Sequence, residues 1–372
     1  MKLKLKLIVV VFSILFLALI GIEWWRSYPK VSLPVPMGTM NQKDQLDSIL
    51  ITTLNQNQLA GLSVGLIVDS KITYRRAVGF ANLASKDSLT SRTPLPVASI
   101  SKLFTALLIS SYFSQEEIQP ESKIASHFPE FTDQYPKIKP LTFSSLLTHH
   151  SGLEDPPNFG AWLGLKKPRL LENQIQKALS KPSRLEPGIT FTYSDFNFML
   201  LGHLLEKNTQ RPFEELMNHF LQLELAMNQS YLTTTSPLES LPTKGYEKTF
   251  LWKRLKEYPL KLEVIPDPSS GIISTTDDLL KALIQLSRGE LGYLQPHLNW
   301  LRLNSGFAGF QEVKLGNQTY WGHFGGEGGF SSLLLFDPDL GNGLIILSNT
   351  ADKADFRIQL AEQLEPFLDP SP

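Results

Sequence analysis

Cysteine is absent from the 372 residues of this chain. Its absence excludes a disulfide framework, a thiolate nucleophile and a cysteine-ligated metal site. The zinc-peptidase pattern His-Glu-x-x-His is also missing, and the histidines lack metal-ligand spacing. Basic and acidic residues number 35 and 36, without a basic stripe of the kind that binds nucleic acid. We therefore expect neither a metal site nor a nucleic-acid partner.

The N-terminus carries a long apolar run. Three lysines among the first six residues precede residues 7–22, which are apolar except for Ser13, and Trp24 and Trp25 follow. This pattern predicts a membrane anchor or signal segment over residues 1–28. A cleavage site with small residues is not evident, and tryptophans are typical of membrane interfaces, which favours an uncleaved, single-pass anchor in the cytoplasmic membrane. The positive-inside bias then predicts that the remainder lies on the outer side, periplasmic or extracellular, or is secreted if the segment is cleaved.

The remaining chain predicts a linker at 29–41 and one folded domain at 42–368. Apolar periodicity predicts a first helix at 42–54, strands at 61–68, 72–77, 318–321, 330–336 and 343–348, and a final helix at 354–364. Helical patterns dominate from about 115 to 258. The fold class is thus α/β of the α+β type, with an antiparallel sheet built from both chain ends and an inserted helical lobe. A site is expected in the cleft between them.

Ser99 and Lys102 stand three residues apart at the start of an apolar helical stretch. Residues at i and i+3 share a helix face, so the lysine amine is expected beside the serine hydroxyl. If burial or nearby charge lowers its pKa toward neutrality, such a lysine can take the serine proton and create a nucleophile. The pattern alone is also that of a helix N-cap followed by a solvated lysine.

Two further stretches offer partners for Ser99. Tyr193 lies on a predicted turn before a helix, where its phenol can relay protons, although it can equally be a buried aromatic that precedes an Asp195 N-cap. Glycines between residues 322 and 329 allow close backbone approach to a ligand. The N–H groups of Ser99 and Gly326 can then hold an oxyanion. A hairpin loop is the alternative for the glycine-rich stretch.

In three motifs the chain resembles the serine β-lactamase and penicillin-binding protein superfamily, most closely its class C β-lactamase-related serine hydrolase branch. Ser99-Ile100-Ser101-Lys102, Tyr193-Ser194-Asp195 and His323-Phe324-Gly325 stand at that branch's Ser-x-x-Lys, Tyr-x-Asn and Lys-Thr-Gly positions, in the family's order. The resemblance covers about residues 45 to 350.

The resemblance implies a β-lactamase/transpeptidase-like fold and acyl transfer through a covalent serine ester, without a metal or organic cofactor. Ser99 would be the nucleophile, Lys102 and Tyr193 would move the proton, and the amides of Ser99 and Gly326 would form the oxyanion hole. Residues of the same motifs would bind substrate: Asp195, His323, Gly325 and Glu327.

Two residues depart from the family's pattern. His323 replaces the usual lysine and is expected to be mostly neutral near pH 7, and Asp195 replaces asparagine and adds a negative charge. Glu327 adds another. We therefore expect the site to disfavour anions such as penicillins and to favour a neutral or cationic ester or peptide.

The leading prediction is a membrane-anchored, extracytoplasmic serine hydrolase that acts on ester or amide bonds of a small molecule or peptide. A low-activity D,D-carboxypeptidase, penicillin-binding protein or β-lactamase is the first alternative. A non-catalytic cell-wall-binding protein of the same fold is the second, although a binding module has no chemical need for a serine, a lysine and a tyrosine in these motifs.

A rival serine motif, Gly-x-Ser-x-Gly, is centred on Ser63. That motif requires a sharp strand-to-helix turn, whereas here it opens a predicted strand, so Ser63 is expected to be an ordinary strand residue. His149 and His150 are expected to be structural.

Overall fold

The computed structural model describes residues 2–155, 171–180, 187–232, 241–258, 267–289, 291–304, 309–337, 339–351 and 355–368. The α-helices of this part of the chain are α1 Lys2–Trp25, α2 Gln42–Asn57, α3 Ser101–Gln115, α4 Ile124–His127, α5 Pro129–Gln134, α6 Phe143–Leu147, α7 Leu171–Leu179, α8 Asp195–Thr209, α9 Phe213–His219, α10 Thr276–Ser287, α11 Gln295–Leu303 and α12 Phe356–Leu364. The strands are β1 Gly61–Val68, β2 Lys71–Asn82, β3 Asp87–Ser88, β4 Leu95–Pro96, β5 Tyr231–Leu232, β6 Tyr246–Lys248, β7 Leu255–Glu257, β8 Ile272–Ser274, β9 Gln311–Leu315, β10 Gln318–Glu327, β11 Phe330–Asp337 and β12 Asn342–Ser348.

A seven-stranded antiparallel sheet lies at the centre, in the order β3-β2-β1-β12-β11-β10-β9. Strand β1 pairs with β12, so the first and last strands of the chain meet in the middle of the sheet. The turn between β1 and β2 places Asp69 and Ser70 in the left-handed region, which suits a tight hairpin. The predicted α+β fold, with a sheet built from both chain ends, is confirmed.

Both faces of the central strands are covered. Along β11, Leu333 and Leu335 pack in the cluster that includes α2 and α12, whereas Leu334 and Phe336 pack in the cluster that includes α3, α8 and α10. Alternate residues of a strand point to opposite faces, so a continuous apolar run serves two cores. Burial on both faces fixes the register of the strands that border the site.

A small sheet of order β4-β8-β5 leads the chain into α3. Nearly all of the 15 residues of α3 are buried, including Ser101 and Lys102. A helix that is buried all round lies inside the protein rather than on its surface. The stretch that contains the serine-lysine pair is therefore an internal element that both lobes surround.

Two differences from the sequence predictions bear on function. Residues predicted as part of a helical lobe include a β-hairpin, β6–β7. Strand β10 continues to Glu327, beyond the predicted end at 321, because residues 321–327 pair with β11. The alternative of a hairpin loop is therefore wrong for residues 322–327 and holds only for the turn at Gly328 and Gly329, both in the left-handed region. Of the predicted final helix at 354–364, residue 354 lies outside the described part of the chain.

Candidate active site

Ser99 lies in a 3-10 turn, Ala98–Ile100, between β4 and α3. Ala98 adopts a φ of 49°, a left-handed conformation that is unfavourable for alanine. Neighbouring contacts hold this turn: the Val97 N–H donates to Ile272 O at 3.0 Å, and the Ser332 hydroxyl donates to Val97 O at 2.7 Å. The turn leaves Ser99 partly exposed while its neighbours are buried.

Lys102 is fully buried beneath Ser99. Its Nζ lies 3.3 Å from Ser99 Oγ, 3.0 Å from Ser269 O and 2.6 Å from Asp195 Oδ1. The predicted proximity of the serine and lysine is therefore observed. The solvated-lysine alternative is wrong. A buried ammonium requires such partners, because an unpaired charge in the interior is strongly unfavourable.

The surroundings of Lys102 favour its charged form. Burial acts to lower its pKa, but electrostatic attraction and hydrogen bonding to Asp195 and Tyr193 raise it above the ordinary lysine value. The condition for Lys102 to act as a base, a pKa lowered toward neutrality, is therefore not met while Asp195 is paired with it. Sequence spacing could not show this, since Asp195 comes from α8, far along the chain.

Asp195 is free to pair with Lys102 because other residues cap α8. The N-cap is Ser194, whose hydroxyl donates to Asp155 Oδ1 at 2.7 Å. The same carboxylate oxygen accepts from the Phe196 N–H at 2.9 Å. A carboxylate at a helix N-terminus satisfies backbone donors and complements the helix dipole. The alternative of Asp195 as N-cap is wrong, and its carboxylate faces the site instead.

His149 holds Tyr193 in place. The imidazole stacks on the Tyr193 ring with centroids 4.6 Å apart. On one side of the tyrosine the Thr192 N–H donates to His149 O at 2.8 Å, and on the other the Ser194 N–H donates to His149 Nδ1 at 3.1 Å. The Tyr193 ring centroid in turn lies 5.1 Å from Lys102 Nζ.

The protonation state of His149 suits this function. Burial and, secondarily, the nearby Lys102 lower its pKa to about 3. The ring is therefore neutral at physiological pH, and Nδ1 has a lone pair that can accept the Ser194 N–H. The sequence pattern predicted a structural histidine but gave no signal that it positions Tyr193, since the contact depends on a left-handed φ of 57° at His149.

Strand β10 lies directly against the Ser99 turn at Gly325. A Cβ at this position would come 2.2 Å from Ser332 Oγ and 2.3 Å from Val97 O, with Ser99 N at 3.2 Å. The Gly325 carbonyl accepts from Arg357 Nη1 at 2.5 Å. The carbonyl and N–H of one trans peptide point in opposite directions, so the Gly326 N–H points away from Arg357. Gly325 thus serves close packing of strand and turn.

The other two predicted substrate-binding residues lie on the same strand. His323 is 3% exposed, and its ring lies 6.3 Å from that of Tyr193. Burial and Lys102 lower its pKa to about 3, so it is neutral. Glu327 lies at the end of β10, and burial together with Asp267 raises its pKa to about 7. His323 is therefore a buried neutral neighbour of Tyr193, and Glu327 changes charge near neutral pH.

Ser63, the rival serine, lies inside β1. Its side chain is fully buried, and its Oγ lies 2.7 Å from Thr276 Oγ1. A substrate has no access to a hydroxyl enclosed in this way. The prediction of an ordinary strand residue is therefore supported by its surroundings.

The sequence model of the Beta-lactamase family matches residues 46–365. The chain belongs to the beta-lactamase family. "Protein flp" of Staphylococcus aureus (strain COL) is 22% identical over 333 residues, which are 84% of this chain and 64% of that relative's own length. This beta-lactamase family member thus covers less than two thirds of that relative.

Solved structures share the fold of this family member. The octameric penicillin-binding protein homologue from Pyrococcus abyssi has a TM-score of 0.73 at 20% identity, over 88% of this chain and 78% of its own. The D-amino acid amidase from Ochrobactrum anthropi SV3 has a TM-score of 0.69 at 19% identity, over 87% of this chain and 95% of its own. The predicted superfamily and the β-lactamase/transpeptidase-like fold are confirmed.

Proposed function

We propose that this beta-lactamase family member is a serine hydrolase that forms an acyl-enzyme on Ser99. The observation that carries the proposal is the 3.3 Å contact between Ser99 Oγ and the buried amine of Lys102. A serine hydroxyl beside a buried amine, with a third group that orients the pair, is the arrangement of an activated nucleophile. The family and the amidase among its structural relatives support the same class of chemistry.

The proposed reaction has two halves. Ser99 Oγ attacks the carbonyl carbon of an ester or amide, and its proton passes to the Lys102–Tyr193 pair when that pair is deprotonated. The amides of Ser99 and Gly326 stabilise the developing oxyanion. Tyr193 then protonates the leaving group, and water hydrolyses the Ser99 ester to release the acid. Asp195 restrains the first step, because its carboxylate favours the protonated amine.

The charges around the site support a neutral or cationic substrate. The Lys102 charge is paired with Asp195, the two nearby imidazoles of His149 and His323 are neutral, and Glu327 has a pKa of about 7. A carboxylate substrate would thus meet little uncompensated positive charge in this part of the described structure. An alkyl ester, or an amino acid amide with a free ammonium group, fits these charges better, and the amide is the substrate class in the amidase's name.

We further propose that the hydrolase acts outside the cytoplasmic membrane. Lys6–Trp25 is long and apolar enough to span a bilayer, a property that a signal sequence shares. Three lysines at its N-terminus support a cytoplasmic start. In this proposal residues 1–28 are the anchor, 29–41 the linker and 42–368 the hydrolase domain.

Hydrolysis rates of three substrates test the proposed function. We expect turnover of p-nitrophenyl acetate and of D-phenylalanine amide, and little turnover of nitrocefin, because the cephalosporin carries a carboxylate. Fast nitrocefin hydrolysis without esterase or amidase activity would contradict the substrate proposal. A stable adduct with fluorescent penicillin and no turnover of any of the three would favour the penicillin-binding alternative instead.

A further inference from the structure

The tip of the β6–β7 hairpin is an exposed apolar and basic surface. It comprises residues 249–254, Thr-Phe-Leu-Trp-Lys-Arg, and contains no acidic residue. Phe250 is 82% exposed, and Leu251 and Trp252 are 43% and 42% exposed. Large apolar side chains clustered with basic ones are typical of surfaces that contact the headgroup region of a membrane.

This hairpin tip packs against the C-terminal end of α1. Trp252 contacts Trp24 edge-on with centroids 5.0 Å apart, and the Arg254 guanidinium lies 4.0 Å from the centroid of the Trp24 ring. Arg254 also donates to Ser27 Oγ at 2.9 Å and to Ser27 O at 3.0 Å. The Tyr28 N–H donates to Leu255 O at 2.6 Å, so the chain that leaves α1 continues beside the hairpin.

The contacts set the depth of the tip relative to α1. Trp252 Nε1 donates to Ile20 O at 3.2 Å, and the Leu251 N–H donates to the Glu23 carboxylate at 3.1 Å. Ile20 precedes Trp24 by one helical turn, about 6 Å along the axis at 1.5 Å per residue. If Trp24 and Trp25 mark the interface, Trp252 extends from the Trp24 ring toward the level of Ile20, at the boundary between headgroups and acyl chains.

A cavity of about 730 Å³ lies between α1 and the hairpin. Apolar side chains, among them Phe16, Leu19 and Phe250, line it together with two basic residues, Arg26 and Lys256, and two acidic ones, Glu23 and Glu257. A lining of apolar side chains beside charged groups matches a phospholipid, whose acyl chains adjoin a charged headgroup. Such a volume lies within the range of small-molecule sites.

We propose that the hairpin tip is a second membrane contact: it inserts into the outer-leaflet interface beside α1, and a phospholipid of that leaflet occupies the cavity. This inference rests on the proposal that α1 spans the membrane. Two membrane contacts, α1 and the hairpin tip, fix the orientation of the hydrolase domain on the bilayer. A single flexible attachment would leave the domain free to rotate. Lys253 and Arg254 favour anionic headgroups over zwitterionic ones.

Site-specific quenching in the full-length protein tests this contact. Because the chain lacks cysteine, Phe12→Cys, Phe250→Cys and Leu223→Cys each introduce a unique site for a bimane label. Leu223 is the matched control, since it is 71% exposed and is not in the hairpin. In proteoliposomes that contain lipids with a quencher on the acyl chain, we expect strong quenching at positions 12 and 250 and none at 223.

The outcomes separate this inference from the anchoring proposal. Quenching at 12 with position 250 behaving like 223 would overturn the hairpin contact and leave the anchor intact. No quenching at 12 would overturn both. Disulfide-linked dimers of unlabelled Phe250→Cys without lipid quenching would show a second copy of the chain on this surface and would also overturn the proposal. Stronger quenching at 250 in phosphatidylglycerol than in phosphatidylcholine vesicles is expected, and equal quenching would contradict the selectivity for anionic headgroups.

Discussion

Lys102 is subject to two opposing influences within one buried site. Burial favours its neutral form, whereas Asp195, 2.6 Å away, favours the ammonium and raises the pKa. The neutral amine is the form that accepts a proton from Ser99. The side chain at position 195 therefore controls how much of the protein is ready to react at a given pH.

Asp195→Asn is expected to move the reactive range to lower pH. Without the carboxylate, burial dominates and the pKa of Lys102 falls, so the neutral amine is present at lower pH. An opposite charge at this distance commonly shifts a pKa by about 1–3 units, and we expect the ascending limb of the pH profile of kcat/KM to move down by about one unit or more. Glu154→Gln, which removes an exposed carboxylate next in the chain to Asp155, is the control and is expected to leave the limb in place. An unchanged or upward-shifted limb in Asp195→Asn would contradict this account of the ion pair.

At the scale of residues, the sequence predicts the contacts that depend on local spacing. The contact between Ser99 and Lys102 follows from helical periodicity, because both residues belong to one short segment. The Lys102–Asp195 pair and the His149–Tyr193 stack each join residues that are distant in the chain. Neither leaves a local pattern. The family's motifs bring Lys102, Tyr193 and Asp195 to one site without showing their charge states, and they assign no role to His149.

Among the elements, β10 packs directly against the Ser99 turn. Glycine has a low propensity for strands, so the glycine-rich sequence predicts no strand beyond residue 321. The structure shows why glycine is needed at 325, where a Cβ would overlap Ser332 Oγ and Val97 O. A sequence pattern reflects the low strand propensity of glycine. It does not show which neighbouring atoms leave no room for a larger residue.

Gly325→Ala is expected to separate β10 from the turn. The added methyl group must displace the backbone of Val97 or the strand itself, and so it moves the Ser99 and Gly326 amides apart. Loss of one oxyanion donor typically lowers kcat by about 100- to 1000-fold, and we expect a decrease of that order together with a lower thermal midpoint.

Gly326→Ala is the matched control for folding. Among the described residues, the nearest atom to a Cβ at this position is Phe330 O at 3.9 Å, so the methyl group has room and the midpoint is expected to stay close to that of the wild type. Circular dichroism melts of both variants check the comparison. Equal midpoints for the two variants, with full activity in Gly325→Ala, would contradict the packing argument.

For the whole molecule, two buried neutral histidines make stability depend on pH. His149 and His323 have folded-state pKa values of about 3, against an ordinary value of 6.5. Below pH 6.5 the unfolded chain binds protons that the folded protein does not, so the free energy of unfolding falls as the pH falls toward 3. Glu327, with a pKa raised from 4.5 to about 7, acts in the opposite sense between pH 7 and 4.5.

The variant His149→Phe separates this effect from general acid unfolding. Phenylalanine keeps a ring against Tyr193 but has no titrating nitrogen, so one of the two histidine contributions disappears. Its thermal midpoint at pH 7 is expected to be lower, because the Ser194 N–H loses its acceptor, while the decrease between pH 6.5 and pH 4 is expected to be shallower than in the wild type. Calorimetry of both proteins measures these midpoints. An equally steep decrease of the midpoint in the variant and the wild type would contradict the assignment of His149 as a buried neutral group.

The overall architecture was predictable because its signals are periodic and strong: the apolar N-terminal run, the strands at both ends of the chain and the helices between them. The β6–β7 hairpin was not, since each of its strands has three residues and its pairing and its contact with α1 are both non-local. None of the three motifs that carry the family resemblance lies in this hairpin. Its proposed membrane contact therefore depends on the structure alone.

The central claim is that Ser99 is the nucleophile of the proposed hydrolase. Labelling of the full-length protein with a fluorophosphonate probe, followed by mass-spectrometric mapping of the adduct, tests it most directly in the wild type, Ser99→Ala and Ser63→Ala. We predict a single adduct on Ser99 in the wild type and in Ser63→Ala, and loss of labelling in Ser99→Ala, because the buried Ser63 hydroxyl is enclosed in β1. Equal labelling of the wild type and Ser99→Ala would contradict the account.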